Sequence, residues 1–195
     1  MRILIKLLLA ISSSMLFSKC AGPTILKSTQ YSYNSRNRYL TGMLSDNDYQ
    51  ALKTYLQQSS LTEVRDTVII KYDFNYNYCW HDLDGHSDSI VFRQIYQYQE
   101  AVNKEAAKRP GVSIFEFREP GNKISEYRKW NQSVKIDSGF LRQLFFTEKT
   151  VCGTSVIVLP SHQFLLVKSD PHFDALFILS QRKILSGLFP DQQQR

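Results

Sequence analysis

The segment that most narrows the choice of folds is Thr67-Val68-Ile69-Ile70-Lys71-Tyr72-Asp73-Phe74. β-Branched and aromatic residues suit a pleated backbone, and a nearly continuous apolar run predicts a central strand buried on both faces. After a polar loop, Ser87 or Asp88 can cap a long helix reaching about Ala107, with Val91, Ile95, Tyr98, Val102 and Ala106 on one face. Arg109-Pro110-Gly111 ends that helix, and Val112 to Phe117 reads as a second strand. The middle of the chain is therefore a β-α-β unit.

Downstream, Ser155 to Leu159 and Phe164 to Val167 are apolar runs joined by Pro160-Ser161-His162-Gln163, the pattern of an antiparallel hairpin. His162 in that turn, and His172, read as solvated. Asp170-Pro171 is expected to open a terminal helix containing Ala175, Leu176, Leu179 and Ile184. Ahead of the hairpin, Ser138 is expected to cap a short helix with Phe140, Leu141, Leu144 and Phe145, following an insertion over about 122–137. Near the N-terminus, Ser45 is an N-cap for a helix over Asp46 to Gln58, where Tyr49, Leu52, Tyr55 and Leu56 recur at helical spacing. Thr24 to about Arg38 is polar and suits a tether or an edge strand.

With 195 residues and 43% hydrophobic content, the chain suits one domain with a real core. The expected organisation is an export signal over 1–19, an extension with one helix over 20–62, the main domain over 63–189 and a tail over 190–195. Arg2 and Lys6 flank the apolar run Ile3 to Ala10, and Ser12-Ser13-Ser14 interrupts it, which favours a cleaved signal over a spanning helix. Cys20, before Ala21-Gly22-Pro23, resembles the lipid-attachment cysteine of bacterial lipoproteins, although Lys19 departs from the small residue usual before it. A periplasmic or membrane-anchored protein is thus expected. Removing Arg2, Lys6 and Lys19 from a net charge of +6 leaves 21 basic against 18 acidic residues, a balance too mild to point to nucleic acid.

The chemistry-bearing segment is Cys79-Trp80-His81-Asp82, set between the strand and the long helix. A thiol at a helix N-terminus is acidified by the backbone N–H groups, and His81 could add positive charge or carry a proton, whereas Asp82 and Asp84 favour the neutral thiol. Cys79, His81 and Asp82 form the candidate catalytic group, beside the alternative of an inert cysteine. In an oxidising compartment Cys152 is a candidate disulfide partner for Cys79. His81, Asp84 and His86 are weak metal candidates: Arg93 stands where a calcium loop would place its glutamate, and no zinc spacing fits. A hydrophilic loop with a helix cap is the simpler reading. No G-x-S-x-G, phosphate loop or dinucleotide fingerprint occurs, and no cofactor is expected.

The order β-α-β, short helix, β-hairpin, helix resembles the thioredoxin fold. Asp73-Phe74 at a strand end, Tyr78-Cys79 in the aromatic turn that follows, and Gly153-Thr154-Ser155 before an apolar strand carry the likeness. The resemblance implies an α/β three-layer sandwich on a central mixed sheet, a nucleophilic Cys79, and a substrate-docking edge at Thr154 and Ser155. It also implies an exported thiol partner. Asp82 stands in place of the resolving cysteine and Ser155 in place of the family's cis-proline, so a two-cysteine exchange cycle within one motif is not available. A non-catalytic envelope-binding scaffold is the alternative.

Overall fold

The computed structural model describes residues 24–25, 38–61, 63–75, 85–121, 134–150 and 152–179. Its strands are β1 (Thr24–Ile25), β2 (Tyr39–Met43), β3 (Thr67–Asp73), β4 (Val112–Arg118), β5 (Lys135–Ile136), β6 (Thr154–Val158) and β7 (Gln163–Lys168). The helices are α1 (Asp46–Gln58), α2 (Asp88–Ala107), α3 (Phe140–Leu144) and α4 (Ala175–Ile178). One sheet takes all seven strands in the order β1-β2-β7-β6-β3-β4-β5. β3, β4 and β5 are parallel, and β6, β7, β2 and β1 continue the sheet by antiparallel pairing.

β3 is central, and its alternating side chains build two cores. Val68, Ile70 and Tyr72 face Leu52 and Leu56 of α1, Leu141 of α3, and Phe117, Val156 and Phe164 of the neighbouring strands. Ile69 faces the opposite layer, with Ile157, Leu165 and Val167, beneath Val102 of α2 and Leu176 of α4. Helices therefore cover both faces of a mixed sheet, and the run read as doubly buried is so because each face has its own cover. Among the described residues, no helix is long and apolar enough to cross a membrane.

Several local expectations meet the structure directly. Ser45 holds an extended backbone and its hydroxyl accepts the Asp48 N–H at 3.1 Å, so α1 starts where its cap was read. α2 follows Ser87, and the hairpin β6–β7 turns at Pro160 to His162, with His162 at φ 65°.

Four readings change. α3 is capped by the Asp137 carboxylate rather than by Ser138: it accepts the N–H groups of Leu141 and Arg142 at 3.1 and 2.9 Å, while the Ser138 N–H goes to the Tyr55 hydroxyl. Helix α4 begins at Ala175, not at Asp170-Pro171. Asp170, fully buried, accepts the N–H groups of Asp174 and Ala175 at 2.5 and 3.2 Å, and Phe173 holds φ 60°, so residues 171–173 form a turn before the helix. His162 is only partly solvated, because its ring stacks on Tyr49 at 4.1 Å and Nδ1 lies 3.1 Å from an exposed Asp46 carboxylate oxygen. Finally, β2 is a full strand paired with β7, in the register Leu40↔Leu166, where no strand was read. A side-chain carbon on Gly42 would come within 2.3 Å of the Phe164 ring, so only glycine lets that ring lie across β2. Residues 122–133, most of the presumed insertion, lie outside the described residues, as do Ile184 and the tail.

Candidate functional site

Cys20, Cys79, His81, Asp82 and Asp84 lie outside the described residues. What the structure describes is the carboxyl ends of β3 and β4 and the loop entering β6. In open α/β sheets this end of the parallel strands is where ligands and reacting groups gather.

Cys152 is half-buried in the turn before Gly153, which holds φ 58°. The β3–β6 register ends at Tyr72↔Thr154, so Cys152, two residues ahead of β6, lies in the turn that enters the sheet near the carboxyl end of β3. The turn is fixed by the Thr150 hydroxyl, which donates to the Gly153 carbonyl at 2.6 Å, and by the Asp170 N–H, which reaches the same carbonyl at 3.3 Å. Thr154 and Ser155 are buried, and β6 is hydrogen-bonded to β3 on one side and β7 on the other. They sit inside the sheet rather than at an open edge. His86 is exposed just ahead of α2, and among the described residues no group of three His, Cys, Asp or Glu side chains is placed to hold a metal.

Beneath α2 lies a buried group of charged side chains that pattern reading passed over. β3 and β4 present Lys71 opposite Glu116 and Asp73 opposite Arg118. Lys71, Asp73 and Arg118 are buried, and Glu116 is half-buried by surface area. Arg118 Nε stands 3.8 Å from an Asp73 carboxylate oxygen. Lys71 Nζ donates to the Asp170 carbonyl oxygen and sits 5.6 Å from the centre of the Phe173 ring. Ser155, opposite Lys71 on β6, and Tyr98 of α2 each carry a buried hydroxyl with no hydrogen-bond partner among the described residues.

Burial raises the Glu116 carboxyl above its usual value, an effect reinforced by Asp73 and opposed by Lys71 and Arg118. Burial raises the Tyr98 phenol well above its ordinary value too, and the carboxylates of Glu116, Asp73 and Asp170 add to this. Two acidic and two basic groups in one low-dielectric layer are costly unless they satisfy one another, and such clusters are enriched where proteins move protons. The signal available in the sequence was Lys71 and Asp73 interrupting an apolar strand, with Glu116 and Arg118 at the matching phase of the next.

The raised Glu116 carboxyl has a signed consequence. Because the folded state holds that proton more tightly than the unfolded chain, its stabilisation is fully present below the usual glutamate value of 4.5 and is lost as pH rises through the folded value. Urea midpoints measured from acid to neutral pH should thus fall more, or rise less, in the wild type than in Glu116→Gln. Parallel curves for the two proteins would contradict this assignment.

On the opposite side of the strand ends, Glu119 ties the loops together. Its carboxylate accepts the Asn75 N–H at 3.0 Å and lies 3.6 Å from Arg142 and 3.4 Å from Lys149. The Arg142 guanidinium also stacks 5.3 Å from the centre of the Phe74 ring. Thus β3's exit, β4's exit, α3 and the segment approaching Cys152 are joined around one carboxylate. Compared with family models, curated proteins and solved structures, the chain matches none.

Proposed function

We propose that this chain is an exported protein with a thioredoxin-like domain whose redox site is altered, so that Cys79 exchanges with Cys152 instead of with a second cysteine in its own loop. The observation that supports this reading is that Cys152 lies two residues ahead of Thr154, which pairs with Tyr72 near the carboxyl end of β3, and that Phe74, just past that end, is five residues in sequence from Cys79. Five residues reach at most ~18 Å, and the ends of a disulfide need Cα atoms about 4.4–6.8 Å apart, so the loop can bring the two sulfurs together. The strand order β7-β6-β3-β4, with β3 and β4 parallel and β6 and β7 antiparallel, supports the fold part of the proposal.

In the exchange, the Cys79 thiolate attacks a disulfide of an exported partner, forming a mixed disulfide and releasing one partner thiolate. Cys152 then gives up its proton and attacks the Cys79 sulfur, which closes Cys79–Cys152 and frees the second partner thiolate. The partner is reduced by two electrons and the domain oxidised by two. Asp82 can take no part as a resolving group, since a carboxylate forms no disulfide.

Intact-mass measurement of the unreduced, exported protein should give a value about 2 Da below the reduced one, with a Cys79–Cys152 bridged peptide after digestion. Cys152→Ser should leave Cys79 as a free thiol or a trapped mixed disulfide. If both thiols are free and alkylate like ordinary cysteines, with a pKa near ~8.5, the redox reading fails and a non-catalytic binding domain takes its place.

A further inference from the structure

On the face of the sheet that α1 covers only in part, a groove of about 310 Å³ runs between α3 and the β2–β7 pair. Leu40 of β2, Phe164 and Leu166 of β7, and Leu144 and Phe145 at the end of α3 make its apolar walls. Lys168, the next residue of β7 on the same face, stands at its rim. These side chains meet for a simple reason: Phe164, Leu166 and Lys168 alternate on one face, and Leu40 is the register partner of Leu166.

The walls are held from behind. Phe164, Phe145 and Leu166 belong to the packed core, and Phe145 meets the Phe164 ring edge-on at 5.3 Å. The groove therefore exists without a partner to shape it, as small-molecule sites commonly do.

We infer that this groove binds a small carboxylate with a compact apolar body, its head paired with Lys168. The charge arrangement selects the head group. Lys168 is 20% exposed and lies 2.6 Å from Glu148, whose own carboxylate is 69% exposed. The cation thus sits inward, and its present counter-ion Glu148, which also lines the groove, is exposed enough to swing out into solvent when another carboxylate takes its contact. A second carboxylate entering the groove can take over that contact without stripping Lys168 of charge compensation. Size selects the body. At about 30 Å³ per water-sized group, the space suits roughly ten non-hydrogen atoms, as in a medium-chain or aryl-propionic acid. Thr154, two residues from Cys152, also lines the groove, but binding there needs no thiol chemistry and does not depend on the reading above.

Titration of the full chain with sodium octanoate, followed by calorimetry and by backbone amide shifts, tests the assignment. Saturable one-to-one binding is expected, with shifts centred on Leu40, Leu144, Leu166 and Lys168. Lys168→Gln, a change at the rim that leaves the core intact, should weaken octanoate about tenfold, the effect of losing one charge-assisted contact, while binding of neutral octanol changes less than about twofold. Leu144→Trp should fill the groove and weaken both ligands, its fold being checked by circular dichroism. The proposal is overturned by unsaturable binding, by shifts centred elsewhere, or by Lys168→Gln affecting octanol and octanoate alike. Running the titration with the cysteines reduced and then oxidised separates the two proposals, since binding in both states is expected even if no disulfide forms.

Discussion

Replacing Asp137 with alanine should lower the stability of the fold by about 3–5 kcal/mol, measured as the loss in unfolding free energy from urea titration. The carboxylate is almost fully buried and takes four hydrogen bonds: the Tyr55 hydroxyl at 2.8 Å, the Tyr72 hydroxyl at 3.3 Å, and the N–H groups of Leu141 and Arg142. Removing it strips the cap from α3 and leaves the buried Tyr72 phenol facing an apolar void. Burial raises that phenol well above its ordinary value, helped by Asp137 and Glu119 and opposed by Arg142, so it stays a neutral donor throughout the range in which the protein folds. Asp137→Asn keeps the shape but loses charge and one pair of acceptor sites, and should fall between. Tyr72→Phe removes a single long bond and should cost about 1 kcal/mol. A loss under about 1 kcal/mol in Asp137→Ala would mean that α3 and α1 are joined by apolar packing alone.

The second large effect is expected at Lys71. Lys71→Met keeps the length of the stem but takes the donor from the Asp170 carbonyl and one of two cations from the buried layer that Glu116 shares, and removing one member of a buried charged group costs about 3–5 kcal/mol. The double change Lys71→Met with Glu116→Leu removes both charges. Since well-packed apolar substitutes for a buried pair are often neutral or stabilising, it should regain most of that loss and end within about 1 kcal/mol of the wild type. Recovery in the double variant would show that the charges are kept for a reason other than stability. If the double variant is worse than the single one, Glu116 is held by Arg118 rather than by Lys71, and the cross-strand pairing is not the unit that matters.

Local chemistry explains why some elements were legible. The α1 cap needs only Ser45 and the Asp48 N–H three residues on, and the α2 stop is built into Arg109-Pro110-Gly111. The double burial of β3 was readable because Val68-Ile69-Ile70 run apolar in succession, without the polar alternation of a half-exposed strand. β2 was missed because Tyr39-Leu40-Thr41-Gly42-Met43 has little strand signal alone. It becomes a strand by pairing with β7, 120 or more residues away, and its glycine is there for the Phe164 ring.

The candidate site divides along the same line. Cys79 at a strand–helix junction is a sequence fact, and Cys152 could be named as its partner from compartment reasoning alone. That Cys152 lies near the end of β3 depends on the β3–β6 register, a pairing across more than 80 residues. The ionic layer has the same origin: Lys71, Asp73, Glu116 and Arg118 are ordinary strand residues until the parallel register of β3 and β4 sets them opposite one another under α2.

What the chain determined by itself was the kind of element at each place, because capping, turn chemistry and hydrophobic period act over a few residues. What only the tertiary structure decided was which charges share one buried layer, which carboxylate caps α3, and where an apolar groove meets Lys168. These depend on long-range strand register, and a shift of one residue would turn every one of those side chains to the other face.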